Sequence, residues 1–236
     1  RPAKSRHCRS TASVPRAHSE HAVNALAPLI HEDAHLLVFD KPSGLLSVPG
    51  LGPDKQDCLS ARVQTRWPEA MIVHRLDMAT SGLILMARGP EMQKTLSMAF
   101  EKRRMHKRYQ AVVLGEPLPA PDAEGWSRIQ LPMRIDYRNR PYSIIDFAHG
   151  KPSLTRWQSL GVGPWPGTTR LLLEPLTGRT HQLRVHLQAI GHPIVGDPLY
   201  APLPSQAPRL MLHASELAFD HPVTGEPCRF VAPVPF

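Results

Sequence analysis

The chain has little cysteine: three residues, Cys8, Cys58 and Cys228, among 236. An odd number at wide spacing argues against a disulfide framework and supplies no thiolate cluster for a metal, so a reducing compartment, the cytoplasm, fits best. No apolar run approaches the roughly 18 residues of a membrane span, and no basic n-region followed by an apolar h-region is present, so neither membrane insertion nor export is expected. Internal repeats and regular strand–helix alternation are also missing. The Pro- and Gly-rich stretch 41–54 has no G-K-[ST] and so no P-loop.

Residues 1–19 contain no acidic side chain while carrying Arg1, Lys4, Arg6, Arg9 and Arg16 with Ser10, Thr11 and Ser13. The composition predicts a flexible basic tail over 1–30; an organelle transit peptide and an RNA-contacting arm share it. What the rest of the chain has is globular in character, 42% hydrophobic and 20% charged, with 28 Lys plus Arg against 20 Asp plus Glu. The +8 charge and pI near 9.8 suit a polyanionic partner, although a merely soluble basic protein has the same balance.

Apolar patterning predicts strands at 71–73, 83–87, 109–114, 153–160, 168–174, 210–219 and 228–231, with a short buried one at 36–39. Asp57 is placed to cap a short helix with Leu59, Val63 and Trp67 inward. Pro90 opens a second helix carrying Met92, Leu96, Ala99, Phe100 and Met105, whose far end is the basic run 102–108. A third runs from about His181 to Ile190. The Pro- and Gly-rich segment 115–127 reads as a surface excursion. This mixture predicts one α+β domain over 31–236, built on a mixed, largely antiparallel sheet flanked by helices and loops around a central cleft.

His31-Glu32-Asp33-Ala34-His35 spells H-E-x-x-H, which binds zinc only when a helix puts both imidazoles on one face. Pro28 upstream and the strand-like Leu36-Leu37-Val38-Phe39 downstream predict a turn and a strand instead, and no metal site is expected. A different stretch, residues 73–82, sets Asp77, Arg75 and hydroxyl residues between two apolar runs. An aspartate there is either an Asx-type turn cap or a group held for chemistry at a strand end.

Three separated stretches bear on that choice. His74-Arg75-Leu76-Asp77-Met78-Ala79-Thr80-Ser81-Gly82, Lys107-Arg108-Tyr109-Gln110-Ala111 and Gly178-Arg179-Thr180-His181-Gln182-Leu183-Arg184-Val185-His186 together resemble the motifs of the RluA family of RNA pseudouridine synthases. The similarity extends from about Asp33 to Phe236. Lys41-Pro42-Ser43-Gly44, Asn139-Arg140-Pro141, Gly191-His192-Pro193-Ile194-Val195-Gly196-Asp197 and Ala232-Pro233 resemble its dual-specificity branch. About thirty residues precede His31, less than a typical domain, so the S4 RNA-binding module of many relatives is not expected.

The resemblance implies an isomerase that needs no cofactor and converts uridine to pseudouridine in a tRNA anticodon stem-loop and in 23S rRNA. It makes Asp77 the group acting on the ribose, by attack at C1′ or removal of the C2′ proton. Arg184 is its ion-pair partner, and Tyr109 the ring against the uracil and the base, directly or by relay, for the C5 proton. Arg75 would fill the space of the flipped nucleotide, with His74 and Thr80 shaping the loop and Leu76 and Leu183 walling the pocket. Lys102, Arg103, Arg104, Lys107 and Arg108 would hold phosphates or form a solvated face. The family further implies a monomer that needs no protein partner. Alternatives are a relative with a single different RNA target and a non-catalytic RNA-binding or RNA-folding protein.

Overall fold

Leu83, Ile84, Leu85, Met86 and Ala87 are all buried, and in the computed structural model, which describes residues 26–203 and 205–236, they form the middle of the sheet. A continuous apolar run is what a strand covered on both faces requires. The strands are β1 (Leu29–Glu32), β2 (Leu36–Lys41), β3 (Ala70–Ile72), β4 (Ser81–Arg88), β5 (His106–Leu114), β6 (Ser127–Gln130), β7 (Met133–Ile135), β8 (Ser143–Ile145), β9 (Leu154–Val162), β10 (Thr168–Pro175), β11 (Leu212–Asp220) and β12 (Pro227–Val231). The α-helices are α1 (Leu59–Gln64), α2 (Pro90–Glu101) and α3 (Gln182–Ala189).

Ten strands make one sheet in the order β1-β2-β4-β11-β5-β10-β9-β6, with β12 on β11 and β3 on β4; β7 and β8 form a separate hairpin. Among the described residues, the pairings between these strands are antiparallel except β4 with β11. That parallel contact joins the two halves, and Gly82 permits it. A Cβ at Gly82 would lie 2.3 Å from the Ala214 carbonyl oxygen, and φ is +113°, a conformation that side-chain-bearing residues avoid.

Alternation along β2 divides the core around this end of the sheet. Leu37 and Phe39 meet Ile84, Met86 and, from the α1 region, Leu59, Val63 and Trp67. Leu36 and Val38 face Leu83, Leu85, Leu96 of α2 and Met105. At the far end, Val112, Leu171 and Leu173 pack with Leu183 and Leu187 of α3. Truncating a fully buried member such as Ile84 to alanine should cost about 2–5 kcal/mol.

Two local expectations and the expected domain start are corrected. Asp57 does not cap α1: Cys58 is the N-cap residue, without a side-chain cap bond, and Asp57 is paired with Arg62 at 2.6 Å. The basic run does not close α2, because the helix stops at Glu101 and the chain reverses through Arg103 at φ 57°. Lys107 and Arg108 consequently lie on β5. His31 lies on β1 and His35 just ahead of β2, so no helix aligns them; His31 donates to Asp33 instead. Ahead of the expected domain start Ala27 is already buried and β1 begins at Leu29. The remainder of the expected tail, residues 1–25, lies outside the described residues, as does Cys8.

Candidate active site

Residues 73–80 connect β3 to β4 and are pinned from below by the 41–47 segment. The buried Lys41 ammonium donates to the carbonyls of Pro42, Leu45 and Met78 at 2.9, 2.8 and 3.2 Å. Ser43 Oγ donates to Ala79 O at 2.7 Å. Ser47 Oγ donates to Leu76 O at 2.7 Å and accepts from Leu76 N at 3.1 Å. Burial lowers Lys41 to about 8 against the opposing pull of Asp77, so a costly buried cation is tolerated where it organises two loops. The residue was legible in sequence only as part of a loop.

Asp77 projects from this frame into a cleft of about 1210 Å³ lined by Arg75, Tyr109, Arg179, His181 and Arg184 among others. Its Oδ2 accepts from Arg184 Nη1 at 3.1 Å. Arg184 is held from behind by the fully buried Asp197, Nε to Oδ2 at 2.8 Å and Nη2 to Oδ1 at 2.7 Å, and its guanidinium lies 5.0 Å from the Tyr200 ring centroid. Burial opposes the arginine's charge, but Asp197 and Asp77 outweigh it and raise its pKa. One cation thus serves two carboxylates, only one of which faces the cleft.

Tyr109 reaches the same cleft from β5, next to Leu173 of β10 and Ala214 of β11 in register. Burial, reinforced by Asp77, raises its hydroxyl well above the ordinary tyrosine value. The group is therefore a hydrogen-bond donor in this state, and a phenolate base would have to form only as charge changes at Asp77.

The other expected site residues divide. Arg75 is exposed at the cleft and has no hydrogen-bond or ion-pair partner among the described residues. Leu76, Thr80 and Leu183 line the cleft while being buried, so the two leucines belong to wall and core at once. His74 Nε2 accepts from the Leu85 backbone N–H at 2.9 Å and its ring stacks on Phe100 at 4.4 Å. Burial and then Lys107 push it down to about 3, so it stays neutral and braces the loop. Of the basic run, Arg103, Lys107 and Arg108 line the cleft, whereas Lys102 and Arg104 are exposed outside its lining.

Sequence reasoning did not single out Asp197, His181 or Tyr200. Asp197 accepts from the backbone N–H of Leu199 and Tyr200 at 2.9 and 3.2 Å, the pattern of an Asx turn; its signals in the sequence are the Gly196-Asp197-Pro198 turn and its place at the end of the matched stretch 191–197. His181 Nδ1 lies 2.8 Å from Tyr200 Oη and its Nε2 lies 3.8 Å from Asp77 Oδ2.

Comparison with known proteins adds the following. The family model described as RNA pseudouridylate synthase matches residues 35–189. The chain is 46% identical over 210 residues to the dual-specificity RNA pseudouridine synthase RluA of Pasteurella multocida, covering 88% of this chain and 93% of that one. Identity to the protein of the same name from Vibrio cholerae is 48% over 196 residues, 82% and 77% of the two chains. Among solved structures, human RNA Pseudouridylate Synthase Domain Containing 1 superposes with a TM-score of 0.74 at 30% identity, covering 93% of this chain and 87% of that one.

Proposed function

The chain belongs to the RNA pseudouridylate synthase family and is an RNA pseudouridine synthase, and on that premise we propose that Asp77 is the group that acts on the ribose, with Arg184 as its partner and Tyr109 against the uracil. The observation that carries the reading is the contact of Asp77 Oδ2 with Arg184 Nη1 at 3.1 Å beside Tyr109 in one cleft.

The isomerisation breaks the N1–C1′ bond, rotates the uracil and forms a C5–C1′ bond; C5 loses a proton and N1 ends with one. Asp77 Oδ1 accepts no hydrogen bond from the described residues, which leaves it to face the sugar. It either attacks C1′ or takes the C2′ proton, which later returns; deuterium at C2′ gives a primary isotope effect only in the second case. Arg184 pairs with the carboxylate and orients it as the uracil excludes water. Tyr109 stacks on the base and relays the C5 proton rather than resting as phenolate.

The target uridine must leave its stack, at a cost of a few kcal/mol, and Arg75, exposed at the cleft, is suited to fill the gap. Arg103, Lys107 and Arg108 hold the flanking phosphates. We assign two RNA targets, a tRNA anticodon stem-loop and 23S rRNA, with a monomer acting in the cytoplasm. The support is the resemblance of the motifs and the similarity to relatives named dual-specificity. Among the described residues no helix is long and apolar enough to cross a membrane. Mapping of pseudouridine in tRNA and 23S rRNA treated with the enzyme tests the assignment: sites in both are expected, and modification of only one would replace it with a single-target enzyme.

A further inference from the structure

His181 sits at φ 57°, a left-handed backbone conformation that glycine adopts freely and a histidine only with strain. Each ring nitrogen has a polar neighbour, one of them at hydrogen-bond distance. Nδ1 is 2.8 Å from Tyr200 Oη, and Nε2 is 3.8 Å from Asp77 Oδ2. Tyr200 Oη already accepts the Ser143 backbone N–H at 2.8 Å. Among the described residues, Nδ1 is the acceptor bonded to its one hydroxyl proton. In the arrangement where the hydroxyl donates to Nδ1, the imidazole proton resides on Nε2, the nitrogen nearer Asp77.

From this arrangement we infer that His181 is a positioning residue for Asp77: a neutral imidazole whose Nε2–H flanks, at 3.8 Å, the oxygen already bonded to Arg184 and closes on it when the substrate binds, in the tautomer that a Tyr200 hydroxyl donor favours. The inference rests on the reading of Asp77 given above. With Oδ2 bonded to Arg184 and flanked by His181, Oδ1 is left for the ribose. Neutrality matters, because a second full positive charge beside Arg184 would stabilise the carboxylate before reaction and weaken it as nucleophile or base. The charged groups facing His181 are Asp77, Arg184 and Asp197, with Tyr200 at Nδ1. Burial and Arg184 disfavour its protonation, Asp77 and Asp197 favour it, and the balance lies below the ordinary histidine value. Tyr200 in turn ties this ring to the start of β8, so the hairpin outside the main sheet is joined through two hydrogen bonds to the site.

Single-turnover rates on RNA tritiated at uridine C5, measured with the full chain from about pH 5 to pH 8, test this. His181→Asn suits the left-handed backbone but its amide reaches only the position of Nδ1; His181→Gln carries an N–H to the position of Nε2. The Asn variant should lose on the order of 10- to 100-fold in rate with RNA affinity unchanged, and the Gln variant should recover to within a few-fold of wild type. Tyr200→Phe should move the acid limb of the rate to higher pH, because Nδ1 without its hydroxyl donor takes up a proton more readily. Equal rates for Asn and Gln, losses that appear wholly in RNA affinity, or an unmoved acid limb in Tyr200→Phe would overturn the inference. Asp77→Asn is run alongside: activity in that variant rejects the underlying reading, whereas an inactive Asp77→Asn with a fully active His181→Asn rejects the role of His181 alone.

Discussion

Arg184 and Asp197 form a bidentate pair at 2.8 and 2.7 Å, and only the remaining Nη1 extends to Asp77. Asp197 is fully buried, so its substitution by asparagine leaves a buried guanidinium without its main counter-charge. Asp197→Asn should cost about 3 kcal/mol of stability, read by denaturant unfolding. Turnover should fall more than tenfold, with RNA affinity little changed, because the partner of Asp77 is displaced.

That pair also shows where sequence reading stops. Asp77 and Arg184 stand in motifs that carry the resemblance, but their contact spans 107 positions, and although Asp197 ends the matched stretch 191–197, nothing there assigns it to the same cation. The strands at 83–87, 109–114 and 168–174 were legible because buried apolar runs impose them. The parallel contact of β4 with β11 was not, since Gly82 signals close backbone approach only once Ala214 is beside it. The basic run misled for a related reason. Lys and Arg suit a helix end, but Arg103 reverses the chain and puts Lys107 and Arg108 on a strand facing the cleft.

His74 links stability to acid pH. Its folded value, about 3, lies below the ordinary 6.5, so the unfolded chain binds this proton first as pH falls. The contribution is complete above pH 6.5 and is lost progressively as pH drops toward the folded value, amounting to about 2 kcal/mol by pH 5. His74→Gln keeps an acceptor for the Leu85 N–H without titrating. The difference in unfolding free energy between pH 7.5 and pH 5 should shrink by about 2 kcal/mol; an unchanged difference would show that His74 is not held neutral.

Arg103 lines the cleft and Arg104 does not. Arg103→Ala should flatten the slope of log affinity against log salt by roughly 0.7–0.9, whereas Arg104→Ala should leave it unchanged. Filter binding at several salt concentrations distinguishes them, and equal slopes for both variants would return the run to a solvated face.

Tyr109→Phe preserves the ring and removes the hydroxyl. If stacking and proton relay are separate duties of one side chain, turnover should fall by about 100-fold or more with KM nearly constant. A raised KM at unchanged turnover would assign Tyr109 to binding alone.

The role of Asp77 is tested most directly by tritium release from RNA labelled at uridine C5, comparing the wild-type chain with Asp77→Asn. Wild type should release tritium from both tRNA and rRNA substrates while Asp77→Asn, folded and still binding RNA, releases none above background. Equal release by the two proteins would contradict the account.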